Sequence, residues 1–395
     1  MWRLFQLPKI MHKNMPVGQV NATLQDEFVM RIGVPHKSGS LAFHAFDNSY
    51  PCMLSASAFW NREKLCFQMP EYTDVSETDF ALDSAGYVAV SNWGRKGKQR
   101  GMAGIFPWTL EEYVEFATMS GASWWSQPDL CCEAEVAKDA EEVNYRIRAT
   151  ATLLEGVLRT LYAWQNELAK TCNSTVVSNM LRPCLPIIQG RTIDEYRLSM
   201  ELLLEVWSRW EPWLAPPALL GIGSMCRRQV NDPEQGLLAI LEGVKSYIPE
   251  GSKLHVFGAK GTALDHLAQM DFVQGSDSMA WDYSTRMSAC KAGVSNTIER
   301  RKLACRSGWN LHFPVLSHRY SATSSSFSQH NNPARLAWTT SLKNHTAGST
   351  ALLRCRHSLK MFPFGNQSFF IPCLKLSLVH SARPSCRSLQ PLPAP

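Results

Sequence analysis

From about residue 50 onward, short apolar runs alternate with stretches of helical apolar spacing, and this alternation limits the fold more than any other feature of the chain. Strands that take turns with helices make parallel sheets, because each return crossover needs a helix's length of chain. The strand candidates are 51–58, 87–91 with the turn before it, 129–132, 184–189, 219–223, 254–258 and 272–276. Between them, helices are expected over 139–169, 193–210, 233–247 and 262–270. The longest, 139–169, gathers Val143, Ile147, Leu153, Leu154, Val157 and Leu161 on one face. The helix at 233–247 starts at Asn231-Asp232-Pro233, a cap followed by proline in the first turn. Seven strands are one short of eight, and the missing one is expected after Thr285. The fold class is therefore α/β: a TIM-type (β/α)8 barrel, incomplete at its C-terminal end, with a disordered tail. Such a barrel needs about 250 residues, and the chain has 395.

Charge divides the chain more sharply than hydropathy does. All 34 acidic residues lie at or before Glu299, and none follows from Arg300 to Pro395. Of the 40 Lys and Arg, 13 lie in that last stretch, so residues 1–299 carry 27 against 34, a net of −7 under an overall +6. The acid-free segment reads as a basic nucleic-acid tail or as an aberrant, disordered extension. It lacks repeated basic motifs and aromatic patterning, which favours the second. The expected organisation is an N-terminal extension over 1–30, a barrel over 31–314 and the tail over 315–395.

No apolar run reaches the eighteen residues of a membrane span. The basic stretch from Met1 to Asn14 has no continuous apolar core, so no secretory signal is expected and the chain is placed in the cytoplasm. Its 12 cysteines show no two-residue gap of a metal knuckle and are expected to be reduced thiols.

Two aspartates end apolar strand-like runs: Asp83 in Ala81-Leu82-Asp83-Ser84-Ala85-Gly86-Tyr87 and Asp277 in Gly275-Ser276-Asp277-Ser278-Met279. Carboxylates at strand ends can share the mouth of a parallel barrel. Two of them in different environments are the minimum for displacement at a sugar carbon, one attacking or shielding the carbon and one moving the proton. Taken singly, each is as well read as a turn or cap residue, and Asp282 rivals Asp277. Gln189 alone is a satisfied strand-end amide, and Tyr87, Trp124 and Trp125 alone are core aromatics.

Asp83-Ser84-Ala85-Gly86-Tyr87 resembles the Asp-Ser-Gly-Gly-aromatic turn of tRNA-guanine transglycosylases, and Ser276-Asp277-Ser278-Met279-Ala280-Trp281 resembles their second signature. Pro186-Ile187-Ile188-Gln189-Gly190, Leu220-Gly221-Ile222-Gly223 and Leu254-His255-Val256-Phe257-Gly258 match three further strand ends of that family, in the same order. The stretches Tyr50–Ala56 and Cys132–Ala137 are most similar to one branch, the deoxypurine-in-DNA modification protein A family. Those proteins are transglycosylase relatives that place 7-deazaguanine derivatives in DNA. The resemblance covers about residues 30–314.

The resemblance implies exchange of guanine for a 7-deazapurine base. Asp277 would form the covalent glycosyl-enzyme and Asp83 would be the general acid/base. Tyr87 would stack on the purine, while Gln189, Gly190 and the backbone of Leu220 and Gly221 would read its edge. One more carboxylate is expected to bind the exocyclic amine; Glu133 is the first choice, with Asp129 and Glu135 behind it. DNA is favoured over tRNA as the partner, a catalytically inactive nucleic-acid-binding relative stands as a third reading, and a homodimer is left open. The family also implies a structural zinc held by a cysteine cluster and a later histidine. Cys290, Cys305, His312, His318 and His330 form no compact cluster, so no metal is assigned.

Gly94-Arg95-Lys96-Gly97-Lys98-Gln99-Arg100-Gly101 packs four cations into eight residues close after Asp83. Arg95 and Lys96 are expected to contact phosphate, with a merely solvated basic loop as the alternative.

Overall fold

The computed structural model describes residues 27–34, 40–69, 75–173, 177, 181, 184–211 and 213–312. Eight strands form one parallel sheet: β1 Val29–Gly33, β2 Cys52–Ser55, β3 Phe80–Asp83, β4 Trp124–Trp125, β5 Ile187–Ile188, β6 Leu219–Ile222, β7 Lys253–Val256 and β8 Val273–Ser278. Their order is β4-β3-β2-β1-β8-β7-β6-β5. The two end strands also meet: Ser126 bridges in parallel to Leu185, and Leu185 N–H donates to the Trp125 carbonyl at 2.8 Å. The sheet curls into a barrel because every strand then has a neighbour on both sides.

Helices α1 Ser40–Asp47, α2 Gly86–Lys96, α3 Leu110–Met119, α4 Ala140–Leu168, α5 Ile193–Ser208, α6 Leu237–Val244, α7 Leu264–Leu267, α8 Ala280–Lys291 and α9 Ile298–His312 accompany the sheet. A small antiparallel hairpin, Trp60–Asn61 with Cys66–Phe67, follows β2. The face of α4 foreseen from its spacing is the one that packs: Val143, Ile147, Leu154, Val157 and Leu161 are buried, with Leu153 at the margin. Asp139 caps α4 through Glu142 N–H, and α3 and α5 begin in capping boxes at Thr109/Glu112 and Thr192/Glu195. No helix among the described residues is long and apolar enough to cross a membrane.

Four expectations need correction. The eighth strand is β1 at the N-terminal side; after Thr285 the described chain is helical. Arg31, buried in the middle of β1, breaks the apolar pattern that would have marked it. Residues 87–91 are helical, because Ala85 turns into the left-handed region (φ 69°) directly after β3 and starts α2. Residues 129–132 form a loop, and β4 lies earlier, at the two tryptophans. Finally, α6 begins only at Leu237: Asp232 Oδ1 accepts from Glu234 and Gln235 N–H and closes a turn of its own. Residues 1–26 and the expected tail over 315–395 lie outside the described residues.

Side chains on alternate strand positions separate two cores. Met53, Ala81, Trp124, Leu185, Ile187 and Leu219 form a cluster of their own, with Phe257 against it, while Leu54, Leu82, Trp125, Ile188, Leu220 and Leu254 belong to the larger core with the helices. The first set is the barrel lumen. Continuing it by two residues along β3 and β5 reaches Asp83 and Gln189, and by four residues beyond Leu219 of β6 reaches Gly223. In β8 the register with β7 slips at Gln274, so that Gly275 rather than Gln274 pairs with His255. That one-residue bulge puts Asp277 on the lumen face.

Candidate active site

Asp83 is the last residue of β3, and its Oδ2 accepts from Ala85 N–H at 3.0 Å across the turn into α2. The turn lies tightly on the loop after β4: a Cβ on Gly86 would stand 2.4 Å from the Asp129 carbonyl oxygen. Only glycine permits that approach. Ser84 ties the same two segments, donating from Oγ to Asp129 Oδ1 at 2.7 Å and from N–H to Ser126 Oγ at 2.9 Å. Burial, and then the carboxyls of Asp129 and Asp277, push the Asp83 carboxyl up to about 7. At neutral pH it can therefore both give and take a proton.

Asp129 is buried and accepts on both oxygens, from Ser84 on Oδ1 and from Gln189 Nε2 on Oδ2 at 2.5 Å. Burial pushes it up to about 6 against the opposing pull of those two donors. Gln189 is held at its other end by Ser224 Oγ, 2.5 Å from Oε1, and Ser224 Oγ also accepts from Cys132 N–H at 2.7 Å. A Cβ on Gly223 would lie 2.2 Å from Gln189 Nε2, so the amide rests on the end of β6.

Glu133, also buried, takes Cys226 Sγ at 2.7 Å on Oε1 and has Arg227 Nε 3.8 Å from Oε2. Burial raises its carboxyl above the usual range. Arg227 pairs with Glu135 at 3.2 Å, donates to the Tyr87 hydroxyl at 2.7 Å and stands 5.3 Å from the ring centre. Tyr87, on the first turn of α2, thus meets the loop after β6 across the mouth.

On β8, Asp277 Oδ1 has two partners, Gly258 N–H at 3.0 Å and His255 Nε2 at 3.3 Å. The rival Asp282 is buried in α8 and pairs with Arg286 at 2.9 Å and Arg301 at 2.7 Å. It ties α8 to α9.

The structure therefore brings Asp83, Asp129, Gln189, Glu133, Tyr87 and Asp277 together at the C-terminal ends of the strands, where barrel enzymes carry their chemistry. It sets the remaining candidates apart. Leu220 and Gly221 lie inside β6, paired with β5 and β7, and Gly223, directly after β6, is the residue that touches Gln189. The Gly190 carbonyl accepts from Arg228 at 3.3 Å. Arg95 and Lys96 sit exposed in the last turn of α2, Arg95 bonded to Asn92 Oδ1 at 2.9 Å. Among the three carboxylates weighed for the exocyclic amine, all in the loop after β4, Asp129 is the one joined to both Ser84 and Gln189. Sequence reasoning gave no role to Ser84, Ser224, Cys226, Arg227 or His255, although Ser84 and His255 stand within the quoted motifs.

The zinc implied by resemblance finds no ligand set among the described residues. Among the described residues no three His, Cys, Asp or Glu side chains converge on a metal position. Cys290 is exposed on α8, Cys305 is buried on α9, and His318 and His330 lie outside the described residues. All cysteines of the described residues are free.

The model of one protein family, DeoxyPurine in DNA protein A, matches residues 61–362, well over half of the chain and past residue 314 into the acid-free segment. No curated protein matches the chain. A match of this extent settles membership, which implies a transglycosylase-like protein that modifies DNA.

Proposed function

Because the chain belongs to the DeoxyPurine in DNA protein A family, we propose that it exchanges guanine in DNA for a 7-deazaguanine derivative through a covalent glycosyl-aspartate. The observation that carries this reading is the pairing of two unlike carboxyls at one barrel mouth: Asp83, pushed up to about 7, and Asp277, with one oxygen held by two donors. In the first displacement an Asp277 oxygen bonds to C1′ and the bond from C1′ to the purine nitrogen breaks. The electron pair leaves with guanine, and Asp83 supplies its proton. In the second, the incoming base loses its ring N–H proton to Asp83, its nitrogen attacks C1′, and the Asp277 ester bond breaks. The proton account closes, and two inversions give net retention.

The target base has to leave the stack to enter the mouth. Tyr87 offers a ring face at its rim, and Asp129 and Gln189 offer an acceptor and a donor that a guanine edge can use in place of each other. Glu133 stands next to them as a further acceptor.

Incubating the full-length protein with guanine-labelled duplex DNA, and separately with tRNA, tests the substrate. Release of label and a denaturation-resistant adduct with DNA are expected. An adduct with tRNA alone would replace DNA as substrate, and binding without exchange in either would mark an inactive relative. Asp277→Ala is expected to lower adduct formation by at least about 10³-fold with the fold intact, since it removes the attacking atom.

A further inference from the structure

Asp277 does not stand alone in the lumen. The β8 bulge pairs Gly275 with His255 and so turns Asp277 to the same face as that ring. His255 is 3% exposed and held edge-on by Trp124 and Phe257, each with its ring centre 4.9 Å away. A glycine flanks it on either side in register, Gly221 of β6 and Gly275 of β8. Besides Asp277, the charged group that acts on it is Arg31 of β1. Burial, and to a lesser degree Arg31, work against the imidazolium, and the ring is held below its usual range although Asp277 pulls the other way. A neutral ring facing a carboxylate must turn its N–H toward it, which here makes Nε2 the donor.

We propose that His255 is the positioning residue of the nucleophile: its Nε2–H and the Gly258 N–H together hold Oδ1 of Asp277, so that Oδ2 is the oxygen turned to C1′. The inference rests on the reading of Asp277 as nucleophile. Among the described residues no hydrogen bond reaches Oδ2, while Oδ1 has both donors. An aspartate carboxyl otherwise turns easily about its last torsion. Two donors on one oxygen stop that rotation, and a misplacement of about 1 Å costs on the order of 10²-fold in such a displacement. The role is geometric; no proton passes through His255.

His255→Phe keeps a ring among Trp124 and Phe257 without the donor, and His255→Gln returns a donor. The Phe variant is expected to slow adduct formation by about 10- to 100-fold at unchanged DNA affinity, and the Gln variant to recover to within about fivefold of the native rate. Equal slowing in both, or none in the Phe variant, would overturn the proposal. Nitrogen-15 shifts of the histidine-labelled native protein read the same point without a mutation. Nε2 should carry the proton and Nδ1 should not, and the opposite tautomer would also overturn the proposal. The underlying reading fails separately: Asp277→Ala that still forms adduct removes the nucleophile itself, whereas a dead Asp277→Ala beside an unaffected His255→Phe removes this inference alone.

Discussion

Two loops near the Asp83 turn are held by different means. The loop from Asp129 to Ala137 is fastened from below by two arginines. Arg146, buried on α4, donates to the Cys131 carbonyl at 2.5 Å, to that of Val136, and to Glu142 at 2.6 Å. Arg191 donates to the Cys132 carbonyl at 2.7 Å and to that of Ala137. The basic loop from Gly97 to Gly101 closes on backbone bonds instead, Gln99 N–H to Gly104 O at 2.7 Å and Gly101 N–H to Phe106 O at 3.0 Å. Its side chains face water. Arg100 pairs with Glu112 at 2.5 Å and lies 5.4 Å from the Trp60 ring centre, while Lys96 and Lys98 make no ion pair among the described residues. A loop whose carbonyls are bonded to one buried and one half-buried guanidinium group can present Asp129 and Glu133 in fixed positions. A loop of solvated cations can follow a phosphate backbone without fixing any one contact.

Removing the fastening should have the largest effect. Arg146→Ala leaves the buried Cys131 carbonyl and the half-buried Val136 carbonyl without this donor and Glu142 without its ion-pair partner, so a loss of about 2–4 kcal/mol in urea unfolding is expected. Exchange should fall with it, because Asp129 and Glu133 lose their support. Arg100→Ala, by contrast, breaks a half-exposed pair and should cost less than about 1 kcal/mol. Similar losses from the two would erase the distinction between the loops.

This contrast also separates what was legible in the sequence from what was not. The units from α4 onward were readable because β5 and β6 are apolar runs and α4, α5 and α6 each bury one apolar face. Asp83 and Gln189 were readable because each ends such a run, and Asp277 because it stands in the second of the two signature stretches. The arginines under the 129–137 loop were not, since a buried Arg146 on a helix looks like any solvated cation until its carbonyl partners are known. Strand β1 was hidden by the lumen-facing Arg31, and β4 by its two-residue length. Asp129 ranked behind Glu133 because residues 129–132 looked like a strand, whereas as a loop they fold Asp129 back onto Ser84 and Gln189. The lumen face of Asp277 depends on a bulge at Gln274, and a bulge leaves no mark in an apolar pattern.

The Asp83 side of the fastened loop carries a pH signature. Its folded carboxyl, at about 7, lies above the unfolded value near 4, so the folded chain keeps a proton that the unfolded chain releases. The native protein therefore loses stability as pH rises through the window from about 4 to 7. Asp83→Asn removes that loss. Relative to the native protein it should gain roughly 2 kcal/mol between pH 5 and pH 8, less than the full shift at about 1.4 kcal/mol per unit because the carboxyl keeps some contact with water. Unfolding midpoints in urea at the two pH values give the number. A difference that stays flat with pH would mean that Asp83 is not confined against Asp129 as described.

The basic loop should respond in a different observable. Neutralising Arg95, Lys96 and Lys98 together removes three exposed cations, two of them in the last turn of α2, where their charge also favours the helix end. The stability change should stay within about 0.5 kcal/mol. If all three contact phosphate, the slope of log K against log salt for duplex DNA should flatten by about 2.7, at roughly 0.9 per contact. Arg100 belongs outside that sum, because Glu112 already takes its guanidinium on both oxygens, at 2.5 and 2.7 Å. Adding Arg100→Gln to the triple variant should therefore leave the slope nearly where it was. A further drop close to 0.9 would show that DNA displaces Glu112, and an unchanged slope in the triple variant would leave the loop as a solvated helix end.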